Sequence, residues 1–153
     1  MLQVINKDII DVTEGMIVHQ VNCRGKMGSG LAGQLRLKYP VIYKKYIELY
    51  NSYIESGETI KILGTAQIVP ISEKLRIINA FTQFNYGYDG KLYTDYGAIE
   101  EVFARLKLIN IKKTQIYVPY KYGSGLGGGN WDLVQKVIHK VYPEVIVCKR
   151  DQD

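Results

Sequence analysis

Apolar and polar positions along this chain follow two periods in turn. Leu2 to Ile5 is a short apolar run and predicts a first strand. Met16 to Val21 (MIVHQV) is β-branched and mostly apolar, and predicts a buried second strand. From Leu31 to Tyr39 the period becomes helical, and Pro40 stops the run. A longer helix is expected from about Val41 to Glu55, closed by Gly57. Thr65 to Ile71 and Leu75 to Ala80 are extended runs around Ser72-Glu73-Lys74, so they read as a hairpin or as neighbouring strands. Phe81 to Leu92 is a polar, aromatic, glycine-containing loop. Thr94 or Asp95 caps the next helix, which runs to about Asn110 with Ile99, Val102, Phe103, Leu106 and Ile109 on its apolar face. Gln115 to Tyr120 predicts a strand. Asn130 caps a helix from Trp131 to about Val141, Pro143 breaks it, and Val145 to Cys148 is the last strand.

Strands alternating with helices in this order indicate an α/β layered domain with a largely parallel sheet. No linker or low-complexity segment divides the 153 residues, so one domain is expected. Apolar residues make up 46% and charged residues 23%, which excludes wholesale disorder. The net charge of +5 favours anionic partners without choosing among nucleotides, phosphates and nucleic acid.

The two cysteines, Cys23 and Cys148, are too few for a disulfide framework and point to a reducing compartment. The two histidines, His19 and His139, have no zinc spacing, so no metal and no cofactor is expected. The N-terminus lacks an apolar signal region and no run of apolar residues is long enough to span a membrane. The expectation is a cytoplasmic monomer.

Thirteen tyrosines are unusual. Tyr39, Tyr43, Tyr46, Tyr50 and Tyr53 recur at steps of 4, 3, 4 and 3, which is one helix face. Such a stripe can stack bases; the plainer reading is a flank packed on the core.

The fifteen glycines are clustered. Gly28-x-Gly30-x-x-Gly33 and Gly123-x-Gly125-x-x-Gly128 both fit G-x-G-x-x-G, each after a strand and before a helix. Glycine lets the backbone approach a ligand closely, and a helix N-terminus offers free N–H groups to an anion. Two such turns in one small domain suggest a ligand with a phosphate chain, gripped from two sides at the carboxyl ends of strands. The pattern is not that of a dinucleotide-binding Rossmann domain, since two helices follow the first turn and no acid ends the next strand. It is not a P-loop either, since Lys26 is not followed by Ser or Thr.

His19 to Pro40 (HQVNCRGKMGSGLAGQLRLKYP), Ile77 to Gln83 (IINAFTQ) and Tyr117 to Trp131 (YVPYKYGSGLGGGNW) together resemble macrodomains. The likeness is to the branch with yeast-type ADP-ribose-1''-phosphate phosphatases, terminal ADP-ribose glycohydrolases and DNA-ADP-ribose glycohydrolases. The segment from Phe81 to Phe103 also resembles macrodomain proteins carried in phage genomes. The resemblance covers the whole chain in order. It implies a three-layer α/β/α fold with a mixed sheet and an ADP-ribose pocket. On this resemblance Asp8 meets the adenine, Ile9 follows it and Cys148 falls nearby, while Tyr120 is a further ligand-binding candidate. Asn22 meets the distal ribose. Lys26, Met27, Gly28, Ser29, Gly30 and Leu31 form the first diphosphate loop, and Gly123, Ser124, Gly125, Leu126 and Gly127 the second. Asp8 can equally be a turn-capping acid, Cys148 a small buried residue, and Lys26 a solvated loop lysine.

Two positions depart from the pattern. The glycohydrolases of the branch depend on a lysine where this chain has Gln83, and the protein-directed type also on an aspartate where it has Gly127. Glutamine is neither nucleophile nor base, and glycine has no side chain. The favoured expectation is therefore a phosphatase acting on ADP-ribose-1''-phosphate, with His19 as candidate imidazole and Asn22 beside it. Strand alternation would set His19, Val21 and Cys23 on one face and Gln20 and Asn22 on the other, and a buried structural histidine is the competing reading. The alternatives are a reader or scavenger of ADP-ribose without turnover, or a hydrolase that does not use the lysine–aspartate pair. Nucleic-acid binding ranks last, since the lysines are dispersed. His139 reads as a surface residue, Trp131 as a core anchor and Asp89 as a loop acid.

Overall fold

Every predicted run forms its expected element in the computed structural model, which describes residues 1–153. The strands are β1 (Gln3–Asn6), β2 (Gly15–Val21), β3 (Ala66–Pro70), β4 (Leu75–Phe81), β5 (Ile116–Pro119) and β6 (Ile146–Lys149). The helices are α1 (Gly30–Lys38), α2 (Val41–Ser56), α3 (Tyr96–Ile109) and α4 (Trp131–Val141). Two short 3-10 turns, Ile9–Asp11 and Thr59–Ile62, add to the sequence reading. No helix is long and apolar enough to cross a membrane.

The strands form one six-stranded sheet in the order β1-β6-β5-β2-β4-β3. All pairings are parallel except β3 with β4, the predicted hairpin. β2 lies between β4 and β5 and faces helices on both sides, which is why it reads as continuously apolar. Its even residues Met16 and Val18 pack with Phe103 and Leu106 of α3 and Ile138 of α4. Its odd residues Ile17 and Val21 pack with Leu35 of α1 and Ile42 and Tyr46 of α2. The layers are therefore α1–α2, sheet, and α3–α4. Burying each large aliphatic side chain contributes about 1.5–3 kcal/mol.

Helix ends follow the sequence signals. Asp95 accepts a hydrogen bond from Ala98 N at 2.9 Å and Asn130 accepts one from Leu133 N at 3.2 Å. Gly57 closes α2 with φ at 72°. The tyrosine stripe packs on the core from two elements: Tyr39 caps the end of α1, and on α2 Tyr43, Tyr50 and Tyr53 are partly buried around Tyr46, which is buried and stacks on Phe81 with ring centroids 5.6 Å apart. Trp131 packs edge-to-face on Tyr120 at 5.6 Å.

Candidate functional site

Because β2 and β5 are parallel neighbours, their carboxyl ends deliver both glycine turns to the same edge of the sheet. Asn22 organises the first turn. Its Oδ1 accepts from Arg24 N at 3.0 Å and Lys26 N at 3.4 Å, and its Nδ2 donates to Lys26 O at 2.8 Å. Tyr46 Oη lies 2.8 Å from Asn22 O and 2.7 Å from Asn22 Oδ1. β2 ends at Val21, so the predicted alternation does not extend to Asn22. Its side chain turns toward α2, not to the face that carries Gln20.

Gly33 shows why the third glycine is needed. A Cβ there would lie 2.9 Å from the carbonyl carbon and oxygen of Gly28. Ser29 precedes α1 but makes no capping bond; its Oγ meets Tyr88 Oη at 2.7 Å. The first-turn N–H groups of α1 thus receive no side-chain cap from it, and they form an anion-favouring helix end.

The second turn is held by a polar network from four parts of the chain. Gln20 Nε2 donates to Gln83 Oε1 at 2.8 Å and to Thr94 Oγ1 at 2.9 Å. Thr82 Oγ1 donates to Gln20 Oε1 at 2.7 Å and meets Tyr122 Oη at 2.7 Å. Thr94 Oγ1 donates to Gly123 O at 2.5 Å, and the Tyr93 and Thr94 N–H groups donate to Gly127 O at 2.8 and 3.0 Å. Gln83 Nε2 in turn donates to Asn85 O at 2.8 Å. A Cβ at Gly127 would lie 2.5 Å from Thr94 Oγ1 and 2.7 Å from Gln20 Nε2. The network occupies the space an aspartate would need.

Two cavities flank these turns. The larger, about 380 Å³, is lined by Asn22, Lys26, Met27, Gly28, Ser29 and Leu126 among the sequence candidates. It also takes in Ala32, Arg36, Tyr43, Gln83, Tyr86 and Tyr88. The smaller, about 180 Å³, is lined by Asp8, Ile9, Leu31, Tyr120 and Cys148, with Gln34, Arg150 and Asp153. Gly30 is the step between Ser29 in one and Leu31 in the other. Gly123, Ser124, Gly125 and Gly127 belong to the second turn and line neither cavity. Asp8 caps the turn after β1, its Oδ1 accepting from Ile10 N at 3.0 Å, and the residue lines the smaller cavity.

The larger cavity carries Lys26 and Arg36 and no Asp, Glu, His or Cys. Neither cation is in an ion pair. The smaller cavity is mixed, with Arg150 Nη2 bonded to Asp153 Oδ1 at 2.8 Å.

His19 is not brought to either cavity. It is 1% exposed, and its Nε2 lies 2.6 Å from Asn79 Oδ1. Asn79 Nδ2 donates to Ile42 O and Gln67 Oε1, so Asn79 Oδ1 is the acceptor and His19 Nε2 carries the hydrogen. Burial lowers its pKa to about 4, so the ring is neutral at ordinary pH. The structure does not bring this candidate imidazole to either cavity, because the odd face of β2 points into the α2 layer. Burial also pushes the Cys23 thiol up to about 12 and the Cys148 thiol up to about 11, so neither is a ready nucleophile. Asp89 binds Tyr93 Oη at 2.8 Å in the exposed loop and lines neither cavity.

Arg36, Tyr43, Tyr86 and Tyr88 escaped the sequence reading as site residues. For Arg36 a signal existed: Ser29, Ala32 and Arg36 sit at i, i+3 and i+7, one face continuing from the glycine turn.

No family model matches the chain. An uncharacterised 17.5 kDa protein from the tk-vs intergenic region of Enterobacteria phage T4 is 33% identical over 127 residues, 80% of this chain and 76% of that protein. An ADP-ribose 1''-phosphate phosphatase of Aspergillus oryzae is 24% identical over 95% of this chain and 91% of its own length. A DNA ADP-ribosyl glycohydrolase of Mycobacterium tuberculosis is 27% identical over 90% of this chain, which spans 38% of that protein. Among solved structures, the macrodomain of M. tuberculosis DarG superposes with a TM-score of 0.71 at 22% identity, covering 98% of this chain and 97% of that one. Thermosipho africanus DarTG in complex with ADP-ribose superposes with a TM-score of 0.76 at 17% identity, covering 98% of this chain and 42% of that one.

Proposed function

This chain belongs to the macrodomain family, and we propose that its cleft binds ADP-ribose or a close derivative. One observation carries the reading: two cavities lie on either side of paired glycine turns at the carboxyl ends of adjacent parallel strands. In this arrangement the adenine takes the smaller cavity, against Asp8, Ile9 and Tyr120. The diphosphate crosses Gly28–Leu31 and is covered by Gly123–Gly127, where N–H groups at the start of α1 face it. The distal ribose enters the larger cavity beside Asn22 and Lys26. The relatives named for ADP-ribose chemistry support this ligand class.

The reaction we favour is hydrolysis of ADP-ribose-1''-phosphate. Water attacks phosphorus, the bond from phosphorus to the ribose oxygen breaks, and ADP-ribose and inorganic phosphate form. Phosphoryl transfer proceeds through a loose transition state, so positioning and charge neutralisation supply most of the catalysis. Lys26 and Arg36 offer that charge. Lysine- and aspartate-dependent glycosidic cleavage is not supported, because Gln83 and Gly127 are built into the Gln20 network.

One observation favours binding without turnover as the second reading: no carboxylate, histidine or cysteine lines the larger cavity to act as general base. Two buried, unpaired thiols fit a reducing compartment such as the cytoplasm.

Calorimetric titration with ADP-ribose, with AMP as control, tests the ligand. Micromolar binding of ADP-ribose with much weaker binding of AMP supports the two-cavity cleft; no heat with either overturns it. Release of inorganic phosphate from ADP-ribose-1''-phosphate then separates enzyme from reader.

A further inference from the structure

Arg36 projects from α1 into the larger cavity, away from the C-terminal carbonyls a cation in a last helical turn ordinarily serves. Its guanidinium carbon lies 3.4 Å from the centroid of the Tyr43 ring on α2. Stacking of this kind fixes the plane of the group and leaves its N–H edge free. One N–H reaches Met27 O at a long 3.3 Å, and no carboxylate pairs with it. Lys26 opens onto the same space and is unpaired as well.

Two cations therefore face one cavity without a protein anion to balance them. Unopposed cations lining one concavity attract an anionic ligand. In the binding reading above, on which this inference rests, the diphosphate is held by the glycine turns. The cations of the larger cavity then correspond to a second anionic group, carried by the distal end of the ligand.

We infer that Arg36 is a specificity-determining residue that recognises a phosphate monoester on the distal ribose, with Tyr43 as the positioning residue beneath it. The fork of N–H groups on Arg36 matches two phosphate oxygens, while Lys26 adds a point charge. A monoester carries close to two negative charges near neutral pH, which the two cations match.

The test compares ADP-ribose with a non-hydrolysable phosphonate analogue of ADP-ribose-1''-phosphate by calorimetry, on the wild type and on Arg36→Gln, Arg36→Lys and Tyr43→Leu. The wild type should prefer the charged ligand by about tenfold or more, the usual worth of a charge-assisted hydrogen bond. Arg36→Gln should cut the ratio of the two affinities by about threefold or more and leave the share that Lys26 supplies, Arg36→Lys should restore part of the loss, and Tyr43→Leu should fall between. A preference undiminished by Arg36→Gln, or a wild type that binds both ligands equally, overturns the inference and leaves the ADP-ribose reading standing. A wild type that binds neither ligand overturns the ADP-ribose reading itself, and the inference with it.

Discussion

The hydroxyl of Tyr46, at the centre of α2, is shared between the backbone oxygen and the side-chain Oδ1 of Asn22, at 2.8 and 2.7 Å. A core helix thereby holds the residue that shapes the first glycine turn. Burial drives the Tyr46 phenol well above its ordinary pKa, so it remains a donor at any working pH. Tyr46→Phe should leave the stacking on Phe81 intact while stranding buried acceptors. We expect a loss of about 1–3 kcal/mol in urea unfolding and weaker ADP-ribose binding by calorimetry. Unchanged affinity alongside lost stability would mean the turn is held by its own hydrogen bonds.

His19 makes stability depend on pH. Its folded pKa is lowered to about 4 from the ordinary 6.5, chiefly by burial. Between these values the unfolded chain takes up a proton that the folded chain refuses. Stability is therefore full above pH 6.5 and declines as the pH falls toward 4, by roughly 3 kcal/mol in total. Urea unfolding from pH 4 to 7 should show this slope in the wild type and a much flatter profile in His19→Gln. Because His19 lines neither cavity, a turnover rate abolished by His19→Gln in a fully folded protein would contradict its structural role.

Gly127→Asp should not restore glycohydrolase-type chemistry. The new Cβ meets Thr94 Oγ1 and Gln20 Nε2 inside ordinary contact distance, and Gly123 O at 2.8 Å. Overpacking of this kind costs about 1–3 kcal/mol, or some 2–12 °C in Tm for a chain of this size. Thermal denaturation checks it; an unshifted Tm would mean the network yields freely.

Lys26→Gln should weaken ADP-ribose binding about three- to tenfold and lower its dependence on salt, since an exposed charge acts through a screened field. Calorimetry at two ionic strengths reads both effects. An unchanged salt dependence would assign Lys26 to the solvent.

Much of this architecture is written locally. The apolar run of β2, the breaks at Pro40 and Gly57, the caps at Asp95 and Asn130, and both glycine turns each depend on a few neighbouring residues, whose backbone preferences survive any tertiary context. The direction of Asn22 was not legible, because strand alternation applies only while the strand lasts and β2 stops one residue earlier.

The sequence by itself determined the element order, the layered α/β class and the presence of two glycine-rich strand-to-helix turns, since periods of 2 and 3.6 and glycine's backbone freedom are local properties. Only the tertiary structure decided which side chains meet. Packing seals His19 against Asn79 from 60 residues away, joins Gln20 to Gln83 and Thr94 across 63 and 74 residues, and seats Arg36 over Tyr43 where two helices cross. Those contacts arise from sheet register, helix approach and side-chain reach, none of which a local pattern contains.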